Sequence, residues 1–263
     1  ADRPVVVHFT DGSTAEGDFV IGADGVHSAV RGHVVPDGPK PFDTGLIGFG
    51  GFVPRRVVAD CPIGQRVETT FGQSGFFGYG FCSPDPADGL MWWSTQPSYG
   101  KDAATFRAMS QDAIRRHLQN FHRGWHDPIP QILTAAENIV VTDTLDVATL
   151  PMWSRGRTLL IGDAAHATSP HAGQGASLAL EDAMRLGTLM QQDQEIGLIS
   201  RNFEAERRPR AEKIVALARR NGNSKREFSA TGAWLRDHML KLLLPISAKG
   251  MDFMYAYDPR RAA

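Results

Sequence analysis

Long apolar runs, cysteine and a surplus of charge of either sign are all scarce in this sequence of 263 residues. No stretch approaches the ~18 uninterrupted apolar residues that read as a membrane span. Cysteine occurs only as Cys61 and Cys82, with no C-x-x-C pair and no metal-ligand spacing. Two isolated cysteines in a chain of this length do not make a disulfide framework, so both are expected as buried fillers in a reducing, cytoplasmic setting. The formal net charge is −1, from 28 Lys+Arg against 29 Asp+Glu, so no global field draws in nucleic acid or an anionic membrane. Nine Arg or Lys fall between Arg201 and Arg226 against three Glu, which reads as the solvated face of a helix. The opening Ala1-Asp2-Arg3-Pro4 lacks the basic and then apolar pattern of a signal peptide.

What remains is an ordinary globular composition, 42% hydrophobic and 22% charged, with length for one or two domains and a large core. Pro4 to Thr10 is β-branched and strand-like, Asp11-Gly12 signals a hairpin, and Phe19 to Gly22 is a second short apolar run. A helix is expected from near Val26, carrying Ser28 and Arg31. From Lys40 to about Gln96, Gly, Pro and aromatic residues are dense among short apolar runs, which predicts strands joined by turns. Helical spacing covers Asp102 to Phe121, and strands are expected at Ile139 to Thr142 and Thr158 to Gly162. Helices follow at Gly173 to Met190, Ile196 to Arg220 and Trp234 to Leu244. The layout suggests a sheet-rich lobe inserted between two α/β pieces.

Two segments carry chemistry. In Val20-Ile21-Gly22-Ala23-Asp24-Gly25-Val26-His27-Ser28-Ala29-Val30-Arg31, a buried strand turns into a helix whose first amides can meet a polar or anionic ligand. The plainer alternative is a strand-to-helix turn with Asp24 as helix cap. In the second, Thr158 to Gly162 delivers Asp163 at the carboxyl end of a strand, where ligands sit in open α/β sheets. A carboxylate there repels phosphate but accepts hydrogen bonds from sugar-like hydroxyls. A loop of small residues closes at Pro170, and Gly173-Gln174-Gly175 opens a helix whose start favours negative charge.

Together, Gly-Ala-Asp-Gly-x-x-Ser-x-Val-Arg and Gly-Asp-Ala-Ala-His-x-x-x-Pro-x-x-Gly-Gln-Gly, the latter running on through Leu180-Glu181-Asp182-Ala183, resemble two fingerprints of the class A FAD-dependent aromatic hydroxylases, the p-hydroxybenzoate hydroxylase-like flavoprotein monooxygenases. Arg207-Arg208-Pro209-Arg210 is also similar to the family. The resemblance implies a Rossmann-like α/β FAD-binding domain with an inserted β-sheet substrate domain. The expected division is 1–40 and 151–225 in the FAD-binding domain, 41–150 in the substrate domain, and 226–263 as a helical tail. By resemblance, Asp163 bonds the ribityl hydroxyls of FAD, with Gly162 before it, and Pro170 lies against the flavin ring. Gly173, Gln174, Gly175, Ala176 and Ser177 match the stretch whose backbone approaches the pyrimidine end. Asp24, Gly25 and Arg31 match a motif implicated in FAD pyrophosphate and NAD(P)H contacts. The implied reaction uses NADPH or NADH to reduce FAD, adds O₂ to give a flavin C4a-hydroperoxide, and transfers one oxygen to an aromatic or polycyclic small molecule. The chemistry belongs to the cofactor, so no protein nucleophile and no metal is expected.

One departure from the family is clear. The G-x-G-x-x-G unit that should precede the first segment is not in this sequence; Gly48-Phe49-Gly50 and Gly173-Gln174-Gly175 both lack the third glycine. The expectation is a C-terminal part of a longer enzyme, partnered by an N-terminal segment or chain that supplies the adenosine side of the site. Alternatives within the fold are an inactive scaffold half, a flavin oxidoreductase or a halogenase. A hydrolase is disfavoured because Gly72-Gln73-Ser74-Gly75-Phe76 is no G-x-S-x-G elbow. His117, His122 and His126 do not share a helix face as metal ligands would. The aromatics Phe71, Phe76, Phe77, Tyr79, Phe81, Trp92 and Trp93 fall in the sheet-rich lobe, where alternation predicts about half on each face.

Overall fold

The computed structural model describes residues 4–59, 66–83, 85, 89–192, 195–249 and 252–260, with 244–249 in main chain only. In chain order the elements are β1 (Val5–His8), β2 (Thr14–Gly17), β3 (Val20–Gly22), α1 (Ala29–Val34), β4 (Phe42–Val53), β5 (Glu68–Phe71), β6 (Phe76–Phe81) and β7 (Leu90–Pro97). Then come α2 (Ala103–Arg107), α3 (Gln111–Phe121), α4 (Ile129–Ala135), β8 (Val140–Asp146), β9 (Ser154–Arg155), β10 (Thr158–Leu160) and α5 (Asp163–His166). The chain continues with α6 (Gly175–Met190), α7 (Ile196–Asn223), α8 (Ala230–Lys249) and α9 (Asp252–Tyr255). Helices and sheets are mixed, as expected from the sequence.

Two compact units result. The first is built from Ala1–Thr44, Leu145–Asn221 and Leu244–Ala263, the second from Gly45–Thr144 and Gly222–Leu243. The residues after 221 are thus shared between the units.

In the first unit β1 and β2 form an antiparallel hairpin. The second sheet has the order β3-β10-β9, with β3 and β10 parallel and β9 antiparallel to β10. Its core gathers Leu159 and Leu160 of β10, Leu186 and Leu189 of α6, and Phe203 of α7 around Trp153.

The second unit holds a five-stranded sheet of order β5-β6-β7-β4-β8. Strand alternation sorts its aromatics between two faces. Phe77, Tyr79 and Trp92 are in the core with Phe106, Ile114 and Leu118 of α2 and α3; Phe77 stacks on Trp92 at 5.6 Å and 2°. On the other face Trp93 lies over Gly78, where a Cβ would come within 2.4 Å of the indole, and Phe76 packs between Phe71 and the Lys225 ammonium. The helix expected over 102–121 is two helices, because Ser110 caps a new one by accepting the Ala113 amide at 3.2 Å. Cys82 follows the end of β6 and is exposed, not buried as the sequence suggested; Cys61 lies outside the described residues.

Candidate functional site

Parallel pairing of Val20–Gly22 with Thr158–Leu160 sets the two sequence motifs side by side at the carboxyl ends of adjacent strands. The pairing continues one residue further, with the Ile161 amide donating to the Gly22 carbonyl at 3.0 Å. Beyond these ends lies a groove of about 630 Å³, within the size range of small-molecule sites. Its walls include Gly25 from the first motif, and Gly162, Asp163, Pro170, Gly173, Gly175 and Ala176 from the second.

Local chemistry explains the shape. Gly162 sits at φ 57°, ψ −142°, a region open to glycine alone, and a Cβ there would come within 3.2 Å of the Ala179 Cβ. The backbone therefore passes close against α6 before turning into α5. Pro170 starts a single 3-10 turn, Pro170–Ala172, which Gly173 ends in the left-handed conformation at φ 63°. A Cβ at Gly173 would have nothing within 4 Å, so this wall is set back by one methyl group. The Asp163 side chain is exposed, and among the described residues no hydrogen bond or ion pair to its carboxylate is found. The following helix, α6, is sixteen residues long with Gln174 at its N-cap and no side chain bonded to its first amides. An exposed carboxylate, an uncapped helix start and an apolar proline edge share one groove. That set fits a ligand with hydroxyls at one end and an electron-rich, partly anionic ring at the other.

Four expected site residues do not line the groove: Asp24, Arg31, Gln174 and Ser177. The Asp24 carboxylate takes the Ser28 hydroxyl at 2.5 Å and the amides of Ala29 and Val30 at 2.8 and 3.1 Å. Burial opposes its ionisation, but these hydrogen bonds prevail and hold its pKa below the usual carboxylate range. Ser28 in turn accepts the Arg31 amide at 2.9 Å. The start of α1 is capped from within, so its amides are not the free donors that the sequence suggested. Arg31 is buried, and its guanidinium donates to the carbonyls of Ala164 at 2.9 Å, Val26 at 2.8 Å and Asp163 at 3.1 Å. It ties the first motif to the second. Gln174 is buried and Ser177 exposed.

A charged cluster behind the groove escaped the sequence reading. The fully buried Asp182 accepts the Gly162 amide at 2.9 Å, His166 Nε2 at 2.7 Å and Arg207 Nε at 2.8 Å. Arg207 and Arg210 both donate to Glu181, at 2.7 and 2.6 Å. The signal was present, since Glu181-Asp182 and Arg207 to Arg210 belong to the matched motifs, but spacing alone does not reveal which groups meet. Among the described residues no cluster of three or more His, Cys, Asp or Glu could hold a metal ion, and no helix is long and apolar enough to cross a membrane.

The chain has relatives among known proteins. Residues 3–218 match the FAD binding domain family. The chain is 32% identical over 242 residues to the aurachin C monooxygenase/isomerase of Stigmatella aurantiaca and 33% identical over 246 residues to the FAD-dependent urate hydroxylase of Klebsiella oxytoca. It covers 90% and 89% of itself in these matches but only 59% of each relative, so it spans under two thirds of their length. The crystal structure of Klebsiella pneumoniae HpxO complexed with FAD and uric acid superimposes with a TM-score of 0.81 at 28% identity, over 98% of this chain and 65% of the other. The chain belongs to the FAD binding domain family.

Proposed function

We propose that this chain carries the flavin-contacting part of an FAD-dependent monooxygenase that uses NADPH or NADH and O₂ to hydroxylate an aromatic or heterocyclic small molecule. The observation that supports it most is the groove itself, where an exposed Asp163 carboxylate and the uncapped start of α6 meet at the ends of two parallel strands. Asp163 would accept hydrogen bonds from the ribityl hydroxyls. The first amides of α6, from Gly175 and Ala176, would stabilise negative charge at the pyrimidine end of the ring. Pro170 would give the ring an apolar edge, and Gly162, Gly173 and Gly25 let the backbone come close. When bound, the flavin supplies the oxygen-activating redox chemistry. Asp24 and Arg31 act behind the groove, holding the two motifs in register. The substrate class follows the named relatives, among them a protein crystallised with uric acid.

The test is a titration of FAD into the purified chain, read by quenching of flavin fluorescence. Saturable binding, weakened by about 1–3 kcal/mol in Asp163→Ala as unpaired hydroxyls are left behind, is the expected result. Unchanged affinity in that variant would sink the role given to Asp163. NADPH-driven oxygen uptake with a panel of aromatic and heterocyclic compounds then tests the reaction.

A further inference from the structure

The Gly162–Asp163 turn has no conformational preference of its own to hold it, because glycine at φ 57°, ψ −142° is permitted rather than favoured. It is held from outside on both sides of the peptide chain. Arg31 takes the carbonyls of Asp163 and Ala164, and Asp182 takes the Gly162 amide. Asp182 Oδ2 also accepts from His166 Nε2, so one carboxylate oxygen grips the residue before α5 and the last residue of α5 together.

A buried ion pair that merely fastened α6 to α7 would need only Arg207. The same two helices are already joined by Arg185 with Glu206, at 2.5 and 2.8 Å, and by Arg210 with Glu181. Neither of those pairs reaches the turn, whereas Asp182 bonds the Gly162 amide within it and His166 at the end of the short helix that follows. Three donors converge on this side chain, and only a carboxylate accepts from all three; an amide would turn an N–H toward one of them. Burial opposes charge on Asp182, but His166, then Arg207 and the Gly162 amide, outweigh it and hold the carboxyl below its usual range.

We propose that Asp182 is a positioning residue for the cofactor groove, fixing the Gly162–Asp163 turn through the Gly162 amide so that the Asp163 carboxylate faces the ligand. The inference rests on the reading of the groove as a flavin site.

The experiment compares the parent chain with Asp182→Asn and with Arg185→Gln, which removes an ion pair of the same helix interface without touching the turn. Two quantities are measured on each folded protein: FAD affinity by fluorescence quenching, and hydrogen exchange of the Gly162 amide by NMR. Asp182→Asn is expected to speed exchange at Gly162 at least about ten-fold while the Phe203 and Ile214 amides keep their protection, and to weaken FAD binding by about ten-fold, equivalent to about 1.4 kcal/mol. Arg185→Gln should change neither. In the double variant Asp182→Asn/Asp163→Ala the losses of affinity should fall well short of additive, since one residue acts through the other. Parent-like FAD affinity in Asp182→Asn, an equal loss in Arg185→Gln, or strict additivity would each overturn the proposal. A parent chain that binds no FAD would instead overturn the cofactor reading, and exchange at Gly162 would then decide by itself whether Asp182 holds the turn.

Discussion

Acid should loosen the second unit through one histidine. His122, 2% exposed, has Nε2 2.9 Å from the Ser94 hydroxyl and an Nδ1 with no hydrogen-bond partner. The rings of Trp125, Phe121 and Phe77 meet it edge-on at 4.5, 5.0 and 5.2 Å. Burial, and secondarily the nearby His117, push its pKa from 6.5 down to about 3. A folded-state pKa below the unfolded one means that the folded protein binds the proton less well. The contribution is therefore whole above pH ~6.5, declines as the pH falls, and is gone near pH ~3. Some 3.5 units at about 1.36 kcal/mol each amount to about 5 kcal/mol, comparable with the entire stability of many domains. The assay is urea denaturation followed by tryptophan fluorescence at several pH values between 7 and 4, on the parent and on His122→Gln, which cannot take up the proton. Carboxylates contribute equally to both proteins, while His117, whose pKa is also lowered, by burial and by Lys101, remains in both and differs only through its weaker coupling to His122. The difference in slope belongs to His122. Parallel pH dependences in the two proteins would refute the reasoning.

Other perturbations have definite outcomes. Asp24→Ala removes the acceptor for two α1 amides and the Ser28 hydroxyl, and should cost about 1–2 kcal/mol at neutral pH, measured by chemical denaturation. Because the folded pKa of Asp24 is depressed, that loss should shrink as the pH drops through the carboxylate range, and a pH-independent loss would count against the cap. Gly162→Ala forces a side chain into a glycine-only conformation against Ala179, which should cost about 1–3 kcal/mol and weaken FAD binding; a neutral substitution there would contradict the described turn. Trp92→Ala, in the stacked core with Phe77, should cost about 3–5 kcal/mol and can be checked by thermal unfolding. Cys82 should be alkylated in the folded protein by a maleimide, with the site read by peptide mapping.

The strand ends and the small-residue loop were legible because glycine, proline and a terminal aspartate leave few backbone options. Thr158 to Gly162 followed by Asp163 could hardly be anything but a buried strand ending at a polar turn. The direction in which Asp24 and Arg31 serve the site was not legible. A carboxylate two residues past a strand can face a ligand or cap the next helix, and which it does depends on where Ser28 and the α1 amides fall in space. Asp182 was hidden for a similar reason, since its partners Gly162 and His166 bracket α5 while Arg207 lies far along the chain on α7. The break at Ser110 escaped because the apolar spacing of Phe106, Ile114 and Leu118 carries on across it, masking the local cap. Cys82 was misjudged because cysteine is usually buried, and the end of β6 depends on pairing rather than on composition.

The parallel pair β3–β10 also has a kinetic consequence. The groove needs contacts between residues 132 positions apart, with residues 45–144 of the second unit threaded between them, and such distant closures are slow and entropically costly. The second unit shortens its own detour: β4 and β8 are neighbours, and the Thr144 hydroxyl donates to the Leu46 carbonyl at 2.6 Å. Once that sheet has formed, the entry and exit of the chain lie together, and each halving of the remaining loop removes about 0.6 kcal/mol from the cost of closing it. We expect β7 amides to gain protection before those of β10 in pulse-labelled refolding, so that a nascent chain presents a finished sheet well before it can accept a cofactor.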